Sequence, residues 1–252
     1  MSVLTVENLT VSFPGLRDER QQVLDGVSFE VGRPETVALV GESGSGKSMT
    51  ALSVMGLAPE TARRDAGRID AGGRLAMIFQ SPRSSLNPLV KAGDQIARVV
   101  RRREGKQAAK AGAVELMQAV GIDDPERRYN AYPHQLSGGM AQRVMIAMTL
   151  AIRPELLIAD EPTTALDVTI QKQIFDLLGD LQKRYEMSVL LITHDLAVVA
   201  ETSDRVVVLY QGRVVESGPA RDIFERPQHE YTQRLVGSIL RADKRVALEE
   251  AR

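Results

Sequence analysis

The chain of 252 residues contains no cysteine, which excludes a disulfide framework and a thiolate metal site and fits a reducing compartment. Histidine is nearly as scarce, and three scattered histidines do not make a zinc site unaided. No apolar run approaches the roughly 18 residues that a spanning helix needs, so work at a membrane requires another chain to supply the spans. The stretch Met1 to Glu7 lacks a basic start followed by an apolar core, so no signal peptide is expected. Excess charge of one sign is missing too. The 32 basic and 33 acidic residues nearly cancel, which argues against general nucleic-acid binding. There is no internal repeat and no low-complexity tract. The length suits one large domain or two small ones with a substantial core.

What is present is organised around Gly41-Glu42-Ser43-Gly44-Ser45-Gly46-Lys47-Ser48, which fits the phosphate-binding pattern G-x-x-x-x-G-K-[ST] at every fixed position. The residues before it, Thr36 to Val40, read as a buried strand, and Ser48 to Met55, beginning Ser48-Met49, read as a helix. Strand, loop and helix in that order predict a nucleotide. Glycines let the backbone approach a triphosphate, and the positive end of the helix dipole faces the same charge. Lys47 then reaches the β- and γ-phosphates and Ser48 holds Mg²⁺.

Around this loop, Val3 to Phe13 and Val23 to Val31 alternate as an antiparallel pair, separated by a polar stretch containing Arg17 and Asp18. Gly56 and Pro59 end the first helix, Arg63 to Arg74 is polar and glycine-rich, and Leu75 to Phe79 is a strand ending at Gln80. Ser81 to Pro88 reads as a loop, and 93–120 as helices bearing Arg98, Arg101, Arg102, Arg103, Lys106 and Lys110. That basic cluster is either a solvated helix face or a contact with lipid headgroups or a partner. Leu136 to Met140 opens another helix, closed by Arg153-Pro154, and Leu156 to Ala159 is a fully apolar strand delivering Asp160-Glu161. After an amphipathic helix through Ile170 and Leu181, Val189 to Ile192 delivers Thr193-His194-Asp195. Gln211-Gly212 marks a hairpin, and two short helices follow, around Arg221 to Phe224 and Tyr231 to Leu240, before a charged tail.

Four strands thus end in chemically loaded residues, where open α/β sheets bind ligands. Asp160 is suited to hold Mg²⁺ and Glu161 to polarise an attacking water, because two adjacent carboxylates at a buried strand end repel each other without a cation. Gln80 can orient water and ligate Mg²⁺. His194 either donates to a γ-phosphate or is a structural histidine. Ser137-Gly138-Gly139 at a helix start is either a second anion cradle or an ordinary capped helix. One nucleotide needs one cradle, so the second suggests a symmetric dimer in which each subunit closes on the other's triphosphate.

Taken together, Gly41 to Ser48, Gln80, Leu136 to Met140, Leu156 to Glu161, Ala165-Leu166-Asp167 and His194 resemble, in order and spacing, the nucleotide-binding subunits of ABC transporters. The resemblance covers essentially the whole chain. It implies an α/β P-loop ATPase core (1–83 and 153–240) with an antiparallel β subdomain, an inserted α-helical subdomain (84–152) and a charged tail (241–252). It also implies a head-to-tail dimer binding two ATP with Mg²⁺. In that family's pattern Phe13 stacks on adenine, Gln80 couples to the membrane subunit, Glu161 is the general base, Asp167 links the two sites and His194 contacts the γ-phosphate. Phe13 alternatively reads as a core residue of an edge strand. The partners implied are two membrane-spanning permease subunits, a second ATPase subunit that is a copy or a relative, and indirectly an extracytoplasmic binding protein, with the chain peripheral at the cytoplasmic face.

A finer likeness, in Ile78 to Pro88, Leu136 to Arg143, Ala165 to Gln171 and His229-Glu230-Tyr231-Thr232, points to the peptide and nickel importer branch. The end soon after Tyr231, without a cysteine-bearing extension, and the short segment between Gly67 and Met77 look more like its compact nickel or metal-chelate ATPases. Met140 stands where ABC signatures most often have glutamine, and this branch often has methionine there. A soluble ABC ATPase remodelling nucleic acid resembles tandem cassettes or carries long insertions, which this chain lacks. A stand-alone P-loop kinase leaves Ser137 to Met140 unexplained.

Overall fold

The computed structural model describes residues 2–15, 19–164 and 166–237. The expected charged tail 241–252, the last helix beyond 237, and Arg17, Asp18 and Ala165 lie outside the described residues. In chain order the strands and helices run β1 (Leu4–Pro14), β2 (Arg20–Val31), β3 (Thr36–Val40), α1 (Lys47–Met55), β4 (Arg63–Ala71), β5 (Leu75–Ile78), α2 (Pro82–Ser85), α3 (Ala92–Glu104), α4 (Ala109–Ala119) and α5 (Pro125–Tyr129). They continue with α6 (Gly138–Leu150), β6 (Leu156–Asp160), α7 (Val168–Tyr185), β7 (Ser188–Ile192), α8 (Leu196–Thr202), β8 (Arg205–Tyr210), β9 (Arg213–Pro219), α9 (Ala220–Glu225) and α10 (230–237). Two compact units emerge, Met1–Gly72 with Ser188–Arg252, and Gly73–Met187.

In the first unit β1 pairs antiparallel with β2, from Leu4↔Val31 to Pro14↔Arg20, as the alternation of apolar residues predicts. The other edge of β1 carries an unexpected strand. The segment Arg63 to Arg74, read as a polar glycine-rich connection, supplies β4, paired from Leu4↔Ala71 to Ser12↔Arg63. Its side chains are mostly exposed, so it has no buried face to impose a hydrophobic period; backbone hydrogen bonds to β1 hold it instead.

The same unit carries the parallel strands β7, β3 and β8, with Leu39↔Ile192 on one side of β3 and Val40↔Val208 on the other. All five residues of β3 and of β7 are buried, as continuous apolar strands covered on both faces require. Each buried Val or Leu among them contributes about 1.5–3 kcal/mol. The strand β9 returns antiparallel to β8 across the Gln211-Gly212 turn. A cluster of Ala38, Val40, Val206, Val208, Ile223 and Tyr231 packs α9 and α10 under this sheet.

In the second unit β5 and β6 run parallel, from Leu75↔Leu156 to Ile78↔Ala159. The loop expected over Ser81 to Pro88 contains the single turn α2, whose Ser84 and Ser85 hydroxyls donate to the Ser81 carbonyl at 3.0 and 2.8 Å. The helices α3 and α5 meet tightly. A Cβ on Gly93 would lie 2.1 Å from the Tyr129 ring. The Tyr129 hydroxyl donates to Asp94 at 2.8 Å, and burial together with that carboxylate pushes its pKa up to about 12. The basic cluster from Arg98 to Lys110 is exposed, which both readings of it require.

Candidate nucleotide site

In the first unit the phosphate loop leaves β3 and enters α1. Its first glycine is required by sterics: at Gly41, φ is 151° and a Cβ would stand 2.1 Å from the Leu209 carbonyl oxygen. At the other end Gly46, with φ 105°, starts α1 without a side-chain cap, and no acidic residue occupies the first turn. The first-turn N–H groups and the positive end of the helix dipole are therefore left for an anion. Lys47 is only 8% exposed, and its ammonium donates to the carbonyls of Gly41 at 2.7 Å and Glu42 at 2.9 Å. The Ser45 hydroxyl is buried with no hydrogen-bond partner, an arrangement that costs about 1–3 kcal/mol unless something bonds to it. Glycine-lined backbone, an uncapped helix, a loop-bound lysine and an orphaned hydroxyl fit a triphosphate. Glu42, Ser43, Gly44 and Ser48 are exposed around it, and Met49 is half-buried in α1.

His194 follows β7. Because Leu39 pairs with Ile192, the phosphate loop and Thr193-His194 leave neighbouring strands at the same end. His194 is exposed there, while Asp195 caps α8, its Oδ1 accepting from the N–H groups of Ala197 and Val198 at 3.1 and 3.2 Å. Phe13 is half-buried near the end of β1, opposite Gln21.

The second unit repeats the arrangement. Ile78 pairs with Ala159, so Gln80 and Asp160-Glu161 leave adjacent parallel strands side by side. Gln80 is exposed and Asp160 is 7% exposed. Glu161 holds a left-handed backbone, φ 49°, a conformation a non-glycine residue adopts at a cost of order 1–3 kcal/mol and one that clusters at functional sites. The Ser137 hydroxyl caps α6, accepting from the Met140 N–H at 3.2 Å. A Cβ on Gly138 would approach Leu166 at 3.2 Å, and one on Gly139 would approach Ile170 at 3.0 Å. Asp167 likewise caps α7, accepting from the Ile170 N–H at 3.0 Å. Among the described residues no group of three or more His, Cys, Asp or Glu is placed to hold a metal. Hydroxyl, carboxylate and amide oxygens, the donor types carried by Ser48, by Asp160 and by Gln80, are the kind magnesium prefers.

A family profile described as "ABC transporter" matches residues 24–164. The chain belongs to the ABC transporter family. A second profile, "Oligopeptide/dipeptide transporter, C-terminal region", matches residues 215–252. The dipeptide transport ATP-binding protein DppD of Haemophilus influenzae is 49% identical over 258 residues, covering 95% of this chain and 78% of that protein. The oligopeptide transport ATP-binding protein OppD of Bacillus subtilis is 47% identical, covering 94% of this chain and 72% of that protein. A solved structure, the dimeric post-hydrolysis state of the ATP-binding cassette MJ0796 bound to ADP and Pi, matches with a TM-score of 0.75 at 26% identity, covering 86% of this chain and 99% of that one. The chain is thus an ATP-hydrolysing ABC subunit similar to the ATP-binding proteins of dipeptide and oligopeptide transport, and the expected α/β ABC ATPase fold is borne out.

One residue of the site was not anticipated. The Tyr231 hydroxyl accepts the Glu42 N–H at 2.8 Å, across 189 positions of sequence. The motif His229 to Thr232 signalled the branch, but nothing in its spacing to the phosphate loop announces a contact.

Proposed function

We propose that this subunit hydrolyses ATP to power uptake of di- or oligopeptides through separate membrane-spanning permease subunits. The observation that carries the cargo is the 47–49% identity, over 94–96% of the chain, to ATP-binding proteins named for dipeptide and oligopeptide transport. The short Gly67–Met77 segment resembles the compact nickel or metal-chelate ATPases. The relatives' names favour peptide, and the matched 215–252 region is that of peptide transporters.

In this reading the Lys47 ammonium exchanges the Gly41 and Glu42 carbonyls for the β- and γ-phosphates. The uncapped turn of α1 and the Ser45 hydroxyl bond the same oxygens. Ser48, Asp160 and Gln80 would each offer an oxygen to Mg²⁺, which when bound would supply positive charge against the phosphates. Glu161 takes a proton from the water that attacks the γ-phosphorus, His194 donates to the γ-phosphate, and Phe13 stacks on adenine. Ser137, Gly138 and Gly139 of one subunit face the triphosphate held by a second ATPase subunit, with Asp167 linking the two sites. Residues 84–152 form the helical subdomain that docks on the permease at the cytoplasmic face of the membrane. Among the described residues no helix is long and apolar enough to cross a membrane. An extracytoplasmic binding protein delivers the cargo.

Uptake in cells lacking the gene tests this. Loss of labelled dipeptide uptake with intact nickel uptake, free and chelated, is the expected outcome; loss of nickel uptake alone would overturn the cargo.

A further inference from the structure

We propose that Tyr231 is a positioning residue for the nucleotide, through which the C-terminal segment sets the phosphate loop. The peptide unit between Gly41 and Glu42 is pinned on both sides. Its carbonyl oxygen accepts from the Lys47 ammonium at 2.7 Å, and its N–H donates to the Tyr231 hydroxyl at 2.8 Å. A peptide is planar, with C=O and N–H pointing opposite ways, so fixing the N–H fixes where the carbonyl meets the lysine. Tyr231 therefore controls the orientation in which Lys47 waits for phosphate, although it faces away from the lysine.

The tyrosine is itself rigidly held. It is 2% exposed, and its ring stacks on Tyr210 with centroids 4.1 Å apart. It lies in the core cluster with Val40 and Val208, the residues that end β3 and flank it on β8. Its N–H donates to His229 Nδ1 at 3.1 Å, which fixes the start of α10. The turn before it is tied to β9, where the Glu216 carboxylate accepts the N–H groups of Gln228 at 2.8 Å and His229 at 3.0 Å. A continuous path runs from Glu216 through His229 and Tyr231 to Glu42. All of it but Glu42 lies within 215–252, outside the ATPase profile that spans 24–164. The region matched as that of peptide transporters thus reaches the phosphate loop inside the ATPase profile.

The claim rests on the nucleotide reading of the phosphate loop, and the test separates the two. Tyr231→Phe keeps the ring, its stacking and its burial and removes only the acceptor. In the full-length, nucleotide-free chain, amide hydrogen exchange at Glu42 should accelerate about three- to tenfold, while exchange in β3, β8 and α10 stays at the wild-type rate. Titration with Mg-ATP should then show affinity weakened by about the same factor. Unchanged exchange at Glu42, unchanged ATP affinity, or acceleration spread equally over β3, β8 and α10 would each overturn the positioning role. A wild-type chain that fails to bind ATP would instead sink the nucleotide reading, leaving the exchange rates to decide whether Tyr231 holds the loop.

Discussion

Two helices in this molecule begin on glycine-containing sequences that look alike on paper, and the structure builds them differently. At α1 the helix starts on Gly46 with no side-chain cap, the lysine is tied to loop carbonyls, and a buried hydroxyl lacks a partner. At α6 the Ser137 hydroxyl already occupies the Met140 N–H, and the neighbouring glycines face side chains, those of Leu166 and Ile170, rather than backbone. The first loop has unspent hydrogen-bonding capacity built into it. The second is a satisfied helix start that needs something brought to it. A glycine-rich helix N-terminus is therefore not by itself a binding site; what counts is which donors the fold leaves unused.

The largest expected effect separates binding from turnover. Glu161→Gln should slow ATP hydrolysis by about 10²- to 10⁴-fold while leaving Mg-ATP affinity near wild type, as removal of a general base does. Undiminished hydrolysis takes Glu161 out of that role and leaves its left-handed backbone without a functional account.

Next come the glycines themselves. Gly41→Ala places a Cβ against the Leu209 backbone, which cannot step aside, and should cost about 3 kcal/mol or more in urea unfolding. Gly139→Ala meets the Cγ2 methyl of Ile170 at 3.0 Å, which a side-chain shift of a few tenths of an ångström relieves, inside a helix that alanine favours, and its stability should stay within about 1 kcal/mol of wild type. Equal costs at the two positions would dissolve the contrast between a boxed loop and an ordinary helix start.

A smaller effect is a matter of pH. Burial alone would raise the Glu216 carboxyl, but the neighbouring Thr232 hydroxyl and the N–H groups of Gln228 and His229 hold its pKa below the usual 4.5. A carboxylate with a depressed folded-state pKa adds stability above its unfolded value, and that contribution disappears as pH falls through the folded one. Glu216→Gln should therefore lose less stability than wild type on going from pH 7 to acid conditions below about 4.5. Parallel pH profiles would show that the tie between β9 and the turn before Tyr231 does not depend on charge.

Much of the site was legible because its strands are fully buried. Runs such as Val37 to Val40 and Leu156 to Ala159 have no solvent face, so their ends and the residues they deliver could be read directly. That reading located Gly41, Gln80, Asp160, Glu161 and His194 at strand ends, where the structure also places them. The strand β4 was invisible for the opposite reason, since a strand with both faces largely exposed leaves no period in its sequence. The left-handed backbone of Glu161 and the bond from Glu42 to Tyr231 escaped because strain and long-range register belong to the packed chain. In the proposed reading cargo leaves no mark in the site residues, because the ATPase subunit does not touch what separate permease subunits carry.

The most direct measurement is an equilibrium titration of the purified chain with Mg-ATP, run on wild type, Lys47→Ala and Ser137→Ala. Saturable binding by wild type, weakened about 10- to 100-fold in Lys47→Ala and unchanged in Ser137→Ala, is the result expected if the α1 loop holds the nucleotide within its own subunit. Equal affinity in wild type and Lys47→Ala, or a loss confined to Ser137→Ala, would contradict the account.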